Sequence, residues 1–418
     1  MKLLWITNII LPPACEALGI DAPVVGGWML SSAKALLQGG EIELAVATVY
    51  NGKELKEIKV DGITYYLVPS NGVPIAKYNK SLEKYWQQIK ATYSPDVVHI
   101  HGTEMAHGLA YIRACGAEGV VVSIQGLVSV IERYMYAGMS AWDILKNITF
   151  RNIINRDSIF QMRRDFAKRG KLEQEYIRSI HHIIGRTDWD RAHALAVNPN
   201  VCYHFCNETL RGEFYKNRWS YEHCEKHTIF LSQAGYPIKG LHKVLDAAVL
   251  VRKEFPNLKI IVAGRNITSK QTLMDRIKYC GYGKFIKGLI KRYKLQDNIL
   301  FTGSLDEQQI CQQYLKANLF ICPSSIENSP NSLGEAQLLG MPFLASNVGG
   351  APDMVNPIST DLLYRFEEVE ILAEKICQIF RGGDWQYAEQ SVEIARARHN
   401  SNVNRGRLVE IYKSMCYE

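Results

Sequence analysis

The sequence predicts an α/β protein made of two doubly wound domains. Its 418 residues exceed what one ordinary core organises. Short apolar runs of strand length alternate with helical patterns along nearly the whole chain. A content of 47% hydrophobic and 22% charged residues is that of a globular protein. The boundaries expected are 1–205 for the first domain and 206–395 for the second, with a helical tail over 396–418.

Composition narrows the function. There is no apolar run of eighteen residues, so no membrane span is expected. The opening MKLLWITNII reads as a buried first strand and not as a signal peptide, because it has neither a cationic region nor a small-residue cleavage site. Ten cysteines are scattered without a disulfide pattern, which suits a reducing cytoplasm. A net charge of +7 is modest, and no nucleic-acid-binding motif accompanies it.

In order, Lys2–Ile6 is a strand and Asn8–Gly27 a long loop holding Pro12, Pro13 and the pair Gly26-Gly27. That pair opens a helix over Trp28–Leu37 and permits close backbone approach to a phosphate; the competing reading is a plain turn. Strands follow at Leu44–Thr48 and Ile63–Val68, a helix at Lys80–Tyr93, and a strand Val97–His101. His99 alternates inward, whereas His101 and His107 are the candidates for a cleft-facing, acceptor-side role. The strand Val120–Ile124 ends at Gln125, whose amide can donate and accept hydrogen bonds.

Residues 128–171 interleave apolar and aromatic residues with nine Lys and Arg. Amphipathic basic helices of this kind lie on anionic membranes; the alternatives are an insertion packed on the first domain, or one that shapes the acceptor site. Asp188 and Asp190 sit at a strand-to-helix turn and read as helix-capping residues, not a metal pair. Cys202, His204, Cys206, His223, Cys224 and His227 are metal-ligand types at spacings that match no structural zinc pattern, and the segment to about Lys226 reads as a linker.

The second domain opens with a strand at Thr228–Ser232 and the loop Gln233–Gly240. Lys239 precedes a helix at a strand's C-terminal end, where it can neutralise a diphosphate. After the strands Leu258–Gly264 and Asn298–Gly303, Arg265 is a second cation, and backbone at Ser304-Leu305 faces a base. Strand Leu319–Pro323, a polar loop, a helix capped by Asn331 or Ser332, strand Phe343–Ala345 and Gly349-Gly350 form the unit around which the chain is organised. Backbone N–H groups from Ser329 to Leu333 can hold an anion at the helix start. Glu327 lies on the loop, and Glu335 is expected in the first helical turn; both can accept from hydroxyls beside that anion. Acids near a helix N-terminus are also favoured by the dipole alone. Helices Glu367–Arg381 and Trp385–Tyr417 complete the chain.

Glu327-x7-Glu335, then Ala336, Gly340, Pro342 and the Gly349-Gly350-x-x-Asp353 loop, resembles retaining GT-B glycosyltransferases of the family 4 type. The resemblance covers about 229–365 well and 1–210 more weakly. It implies two Rossmann-like domains facing a cleft, with the C-terminal helix 396–418 crossing back to complete the first. It implies sugar transfer from a UDP-sugar, or a GDP-sugar, to a glycan or polyprenyl-linked acceptor in surface polysaccharide synthesis. The enzyme would be cytoplasmic, peripheral at the inner face of the membrane, and need neither a cofactor nor a metal. In that scheme Lys239, Glu327 and Gln125 act on the reacting groups. Gly26, Gly27, Gln233, Arg265, Ser304, Leu305, Ser329, Asn331, Ser332, Leu333 and Glu335 hold the donor. Two departures stand out: Gln125 replaces a His, and Gln233 and Ala234 stand where an Arg is usual. The other readings are a nucleotide-sugar epimerase of the same shape and a silent nucleotide-sugar-binding partner.

Overall fold

The computed structural model describes residues 1–21, 27–382 and 385–416. Gly26 therefore lies outside the described residues. The chain divides into two compact units: 1–132, 166–209 and 399–418 form the first, 133–165 and 210–398 the second.

The first unit holds an eight-stranded sheet: β1 (Lys2–Thr7), β2 (Glu43–Tyr50), β3 (Lys56–Val60), β4 (Ile63–Pro69), β5 (Val97–His101), β6 (Val120–Ser123), β7 (His182–Gly185) and β8 (Cys202–Phe205). Their order is β3-β4-β2-β1-β5-β6-β7-β8. All pairs are parallel except the β3–β4 hairpin at the edge. The central strands are apolar on both faces because helices cover both faces, so their sequences are continuous hydrophobic runs. The helix Ser401–Met415 belongs to this unit and closes its core. Its buried Tyr412 hydroxyl accepts from Trp5 Nε1 at 3.2 Å and lies 2.6 Å from His99 Nδ1.

The second unit has a six-stranded parallel sheet of β9 (Glu225–Leu231), β10 (Lys259–Val262), β11 (Ile299–Phe301), β12 (Ala317–Cys322), β13 (Phe343–Ser346) and β14 (Leu363–Tyr364), ordered β11-β10-β9-β12-β13-β14. Phe230, Phe320, Tyr314, Phe343 and Leu339 are among its buried core residues.

Four local expectations are corrected. Asn8–Gly27 is not all loop: Pro12 and Pro13 start a helix Pro12–Leu18, since proline suits the first turn, and Gly19 ends it in the left-handed region. Cys202–Phe205, expected as linker, is edge strand β8. The tail is two helices, Ala388–Arg398 and Ser401–Met415, because the Asn400 side chain caps a new start through Asn402 and Val403 N–H; Tyr417 lies outside the described residues. Segment 133–165, read from sequence as part of the first domain, groups with the second unit.

Candidate functional site

Within the second unit, two loops are locked together by glycines. Gly240 has φ +70°, and a Cβ there would lie 1.7 Å from the Pro323 carbonyl oxygen. Ser325 N–H donates to the Ile238 carbonyl at 2.8 Å, clamping the Lys239 loop to the loop that follows β12. On the other side Gly349, at φ +55°, leaves room for the Glu327 carbonyl, which accepts from Gly350 N–H at 3.0 Å. Gly240→Ala is expected to combine left-handed strain of about 1–2 kcal/mol with a backbone clash, lowering the thermal midpoint and displacing Lys239; an unchanged midpoint refutes this.

This clamp brings Lys239 and Glu327 into an ion pair, Nζ to Oε1 2.5 Å, with both side chains largely buried. Ser324 Oγ donates to the same carboxylate oxygen at 2.7 Å. Burial opposes the Lys239 charge, but the Glu327 carboxylate outweighs it and raises the ammonium above its ordinary pKa. A permanent cation thus sits one loop away from the start of the helix Asn331–Leu339.

That helix starts differently from expectation. Its N-cap is Pro330, with no side-chain cap, and neither Asn331 nor Ser332 serves. Leu333 N–H donates to the Pro330 carbonyl at 2.9 Å, so it is not available to an anion. Glu335 falls fifth in the helix, past the first turn, and is buried. Both its oxygens accept from Arg211, from Nε and Nη2 at 2.6 Å each. Burial pushes the Glu335 carboxyl above the usual range, and Arg211 pulls against that shift. Ser329 Oγ accepts from Arg398 at 3.4 Å.

Arg265, Ser304, Leu305 and Gln233 lie on the same unit. Gly264 and Gly303 exchange backbone hydrogen bonds at 2.9 and 3.1 Å in an antiparallel bridge just before Arg265 and Ser304. Arg265 is exposed and donates to the Lys278 carbonyl; Leu305 packs against the core. Gln233 is exposed and accepts from Tyr236 at 3.5 Å. A cavity of about 270 Å³ is lined by Tyr236, Arg265, Lys278 and, from the 133–165 segment, Ile144, Arg151 and Met162.

The first unit carries a separate cavity of about 260 Å³, lined by Lys34, His101, Gln125, Arg186, Glu208 and Arg405 among others. Gln125 Nε2 donates to Glu208 Oε1 at 2.8 Å, and Arg186 pairs with Glu208 Oε2 at 2.7 Å. Gly27 begins a helix whose later residues Ser31 and Lys34 reach this cavity. His101 lies against His99 and Trp5, with ring centroids 3.9 and 4.5 Å away. His107 is buried at the start of the helix His107–Cys115 and does not line the cavity, so of the two histidines expected to face a cleft His101 does and His107 does not.

Burial lowers His101 to about 3 and His107 to about 4, so both are neutral near pH 7. The unfolded chain takes up these protons near pH 6.5 and the folded chain does not. Their contribution is therefore present above pH 6.5 and is lost as pH falls towards 4. The first unit's thermal midpoint is expected to drop across that interval; a flat profile refutes it.

Sequence alone did not find Arg211, Glu208 or Arg186 as members of these sites. The metal-type residues also regroup. Among the described residues His182, Cys202 and His204 offer atoms within 4.8 Å of one another, whereas His227 faces Asn257 and Cys206 faces Asn404. Asp190 completes a capping box with Thr187, the true N-cap.

Residues 214–398 match the family described as glycosyl transferases group 1. A putative teichuronic acid biosynthesis glycosyltransferase, TuaC of Bacillus subtilis, is 26% identical over 31% of this chain and 33% of its own length. The chain spans about a third of the length of the first curated relatives it matches. Sucrose-phosphate synthase from Thermosynechococcus elongatus superposes with TM-score 0.73 at 16% identity, covering 99% of both chains. Anabaena HepE in complex with UDP-glucose superposes with TM-score 0.64 at 15% identity over 99% of this chain and all of that one. The fold is GT-B.

Proposed function

We propose that this chain, whose fold is GT-B and whose residues 214–398 match the glycosyl transferases group 1, moves a sugar from a nucleotide-diphosphate sugar to a hydroxyl acceptor in polysaccharide synthesis. A UDP-sugar is favoured over a GDP-sugar, since HepE is seen with UDP-glucose. The acceptor is a glycan or a polyprenyl-linked saccharide, reached from the cytoplasm by an enzyme peripheral to the membrane's inner face. TuaC supports the polysaccharide setting.

The observation that carries this reading is the Lys239–Glu327 pair beside the start of helix Asn331–Leu339. Transfer builds negative charge on the leaving diphosphate. An ammonium held in place by its own carboxylate meets that charge without reorganising, and the first amides of the helix add to it. Glu327 Oε1 is engaged by Lys239 and Ser324, which leaves Oε2 to accept a donor sugar hydroxyl. Glu335 and Arg211 serve the ribose side, with Arg211 holding the carboxylate's orientation. Gln125, fixed by Glu208, bonds a sugar or acceptor hydroxyl. The anomeric configuration is retained, as the resemblance implies. With the charge met by Lys239 and amides, this scheme requires no metal and no cofactor.

Release of nucleoside diphosphate from a panel of UDP- and GDP-sugars, run with and without a chelator, tests the whole reading. Turnover that needs a divalent ion rules out the metal-free scheme. Binding without release favours the silent partner, a second reading motivated by Gln233 standing exposed where the resembled family carries a cation. Formation of an epimerised sugar without any acceptor favours the epimerase.

A further inference from the structure

The segment 133–165 exposes large apolar side chains. Trp142, Leu145, Phe150, Ile153 and Ile154 are 54–78% exposed, on the short helices Ala141–Lys146 and Phe150–Asn155. A third short helix, Leu273–Ile277, exposes Leu273, Met274 and Ile277 by 55–75%. The two stretches adjoin. Thr149 Oγ1 donates to the Tyr279 carbonyl at 3.2 Å, Gly281 N–H to Asn152 Oδ1 at 2.8 Å, and Lys284 Nζ to the Lys146 carbonyl at 2.8 Å. Scattered exposed leucines need no explanation, but eight large ones on adjoining helices of one unit do.

The charge around them is net positive. Segment 133–165 has six Lys and Arg against three acids, and 265–294 has nine against one. These two stretches exceed the +7 of the whole chain, so the remainder is net acidic. Cations are therefore concentrated where the apolar side chains are exposed. The hydrogen bonds of the short helices are satisfied locally: Ser140 and Thr149 cap them, and Lys146–Asp143 and Arg151–Asp157 pair internally. The segment is thus folded with its apolar tips turned outward, and not a poorly packed core.

We propose that this face of the second unit docks on an anionic phospholipid surface, Trp142, Phe150, Ile153 and Ile154 entering the interface while the surrounding Lys and Arg meet headgroup charge. A second copy of the chain fits less well, because an isologous contact through this face would bring the two basic stretches against each other. The docking surface goes beyond the donor chemistry proposed above and does not depend on it.

The test is flotation of the full chain with vesicles of phosphatidylglycerol and phosphatidylcholine, against vesicles of phosphatidylcholine alone. The wild type is expected to float with the anionic vesicles, less so at high salt. The double variant Phe150→Glu/Ile153→Glu is expected to partition at least about tenfold less with an unchanged thermal midpoint, since both side chains are exposed. Three results overturn the proposal: no flotation with anionic vesicles, equal flotation of the double variant, or a wild-type dimer that the double variant dissociates. UDP binding measured on the same samples separates the two readings. Flotation without nucleotide binding retains the lipid surface and discards the transferase.

Discussion

Lys239→Ala is expected to lower the second-order rate of sugar transfer by about 10²–10³-fold, in line with the loss of one preorganised group facing developing charge. Three features make the loss large. The ammonium is held at 2.5 Å by Glu327, so its position is fixed before the donor arrives. The pair is largely buried, where a charge acts at lower dielectric. And the loop cannot shift to compensate, because Gly240 is pressed against the Pro323 carbonyl. Lys239→Arg is expected to recover part of the rate, since charge is kept while the planar fork no longer fits one carboxylate oxygen and one phosphate at once. Measurement of nucleoside diphosphate release against donor concentration decides the matter; a Lys239→Ala enzyme with wild-type rate removes Lys239 from the mechanism.

The second large effect is expected at Glu335, and it has two separable parts. Truncation to Ala leaves Arg211 without its carboxylate, and breaking such a buried pair costs about 3–5 kcal/mol of stability. If Glu335 also accepts from ribose, nucleotide affinity falls by roughly 10–100-fold, the loss of one or two hydrogen bonds to a charged group. Arg211→Ala leaves Glu335 buried and unpaired, so it destabilises the fold comparably. Calorimetric titration of UDP, well below every melting midpoint, distinguishes the parts. Lost stability with unchanged affinity in Glu335→Ala reduces that residue to a structural partner of Arg211.

What was legible in the sequence was what local chemistry dictates. The parallel strands appear as apolar runs because both sheet faces are covered, and the β12–β13 unit is punctuated by Gly340, Pro342 and Gly349-Gly350. Lys239 and Glu327 were each named from their own loops, but their contact spans 88 positions and depends on glycine geometry at two sites. Arg211 was missed for the same reason: its partner lies 124 positions away. Glu208 was hidden in a stretch that reads as linker, although it binds both Gln125 and Arg186. Glu335 falls past the first turn because the helix is capped at Pro330, one or two residues before the expected Asn331 or Ser332. Segment 133–165 looked like part of the first domain because it lies between two of that domain's strands. Its membership is decided by contacts to Tyr279, Gly281 and Lys284, which no local pattern encodes.

The placement of helix Ser401–Met415 has a consequence for how the molecule is made. Trp5 and His99, on β1 and β5, find their hydroxyl partner in Tyr412, far downstream in the sequence. The last strand of the first unit ends at Phe205 and the covering helix begins only at Ser401, so its core closes after every strand of the second unit has been made. In the interval the apolar face that Tyr412, Ile411 and Leu408 will cover is open. The nascent chain is expected to lean on holding chaperones for that period, and to tolerate fusions at residue 1 better than deletions within 401–415.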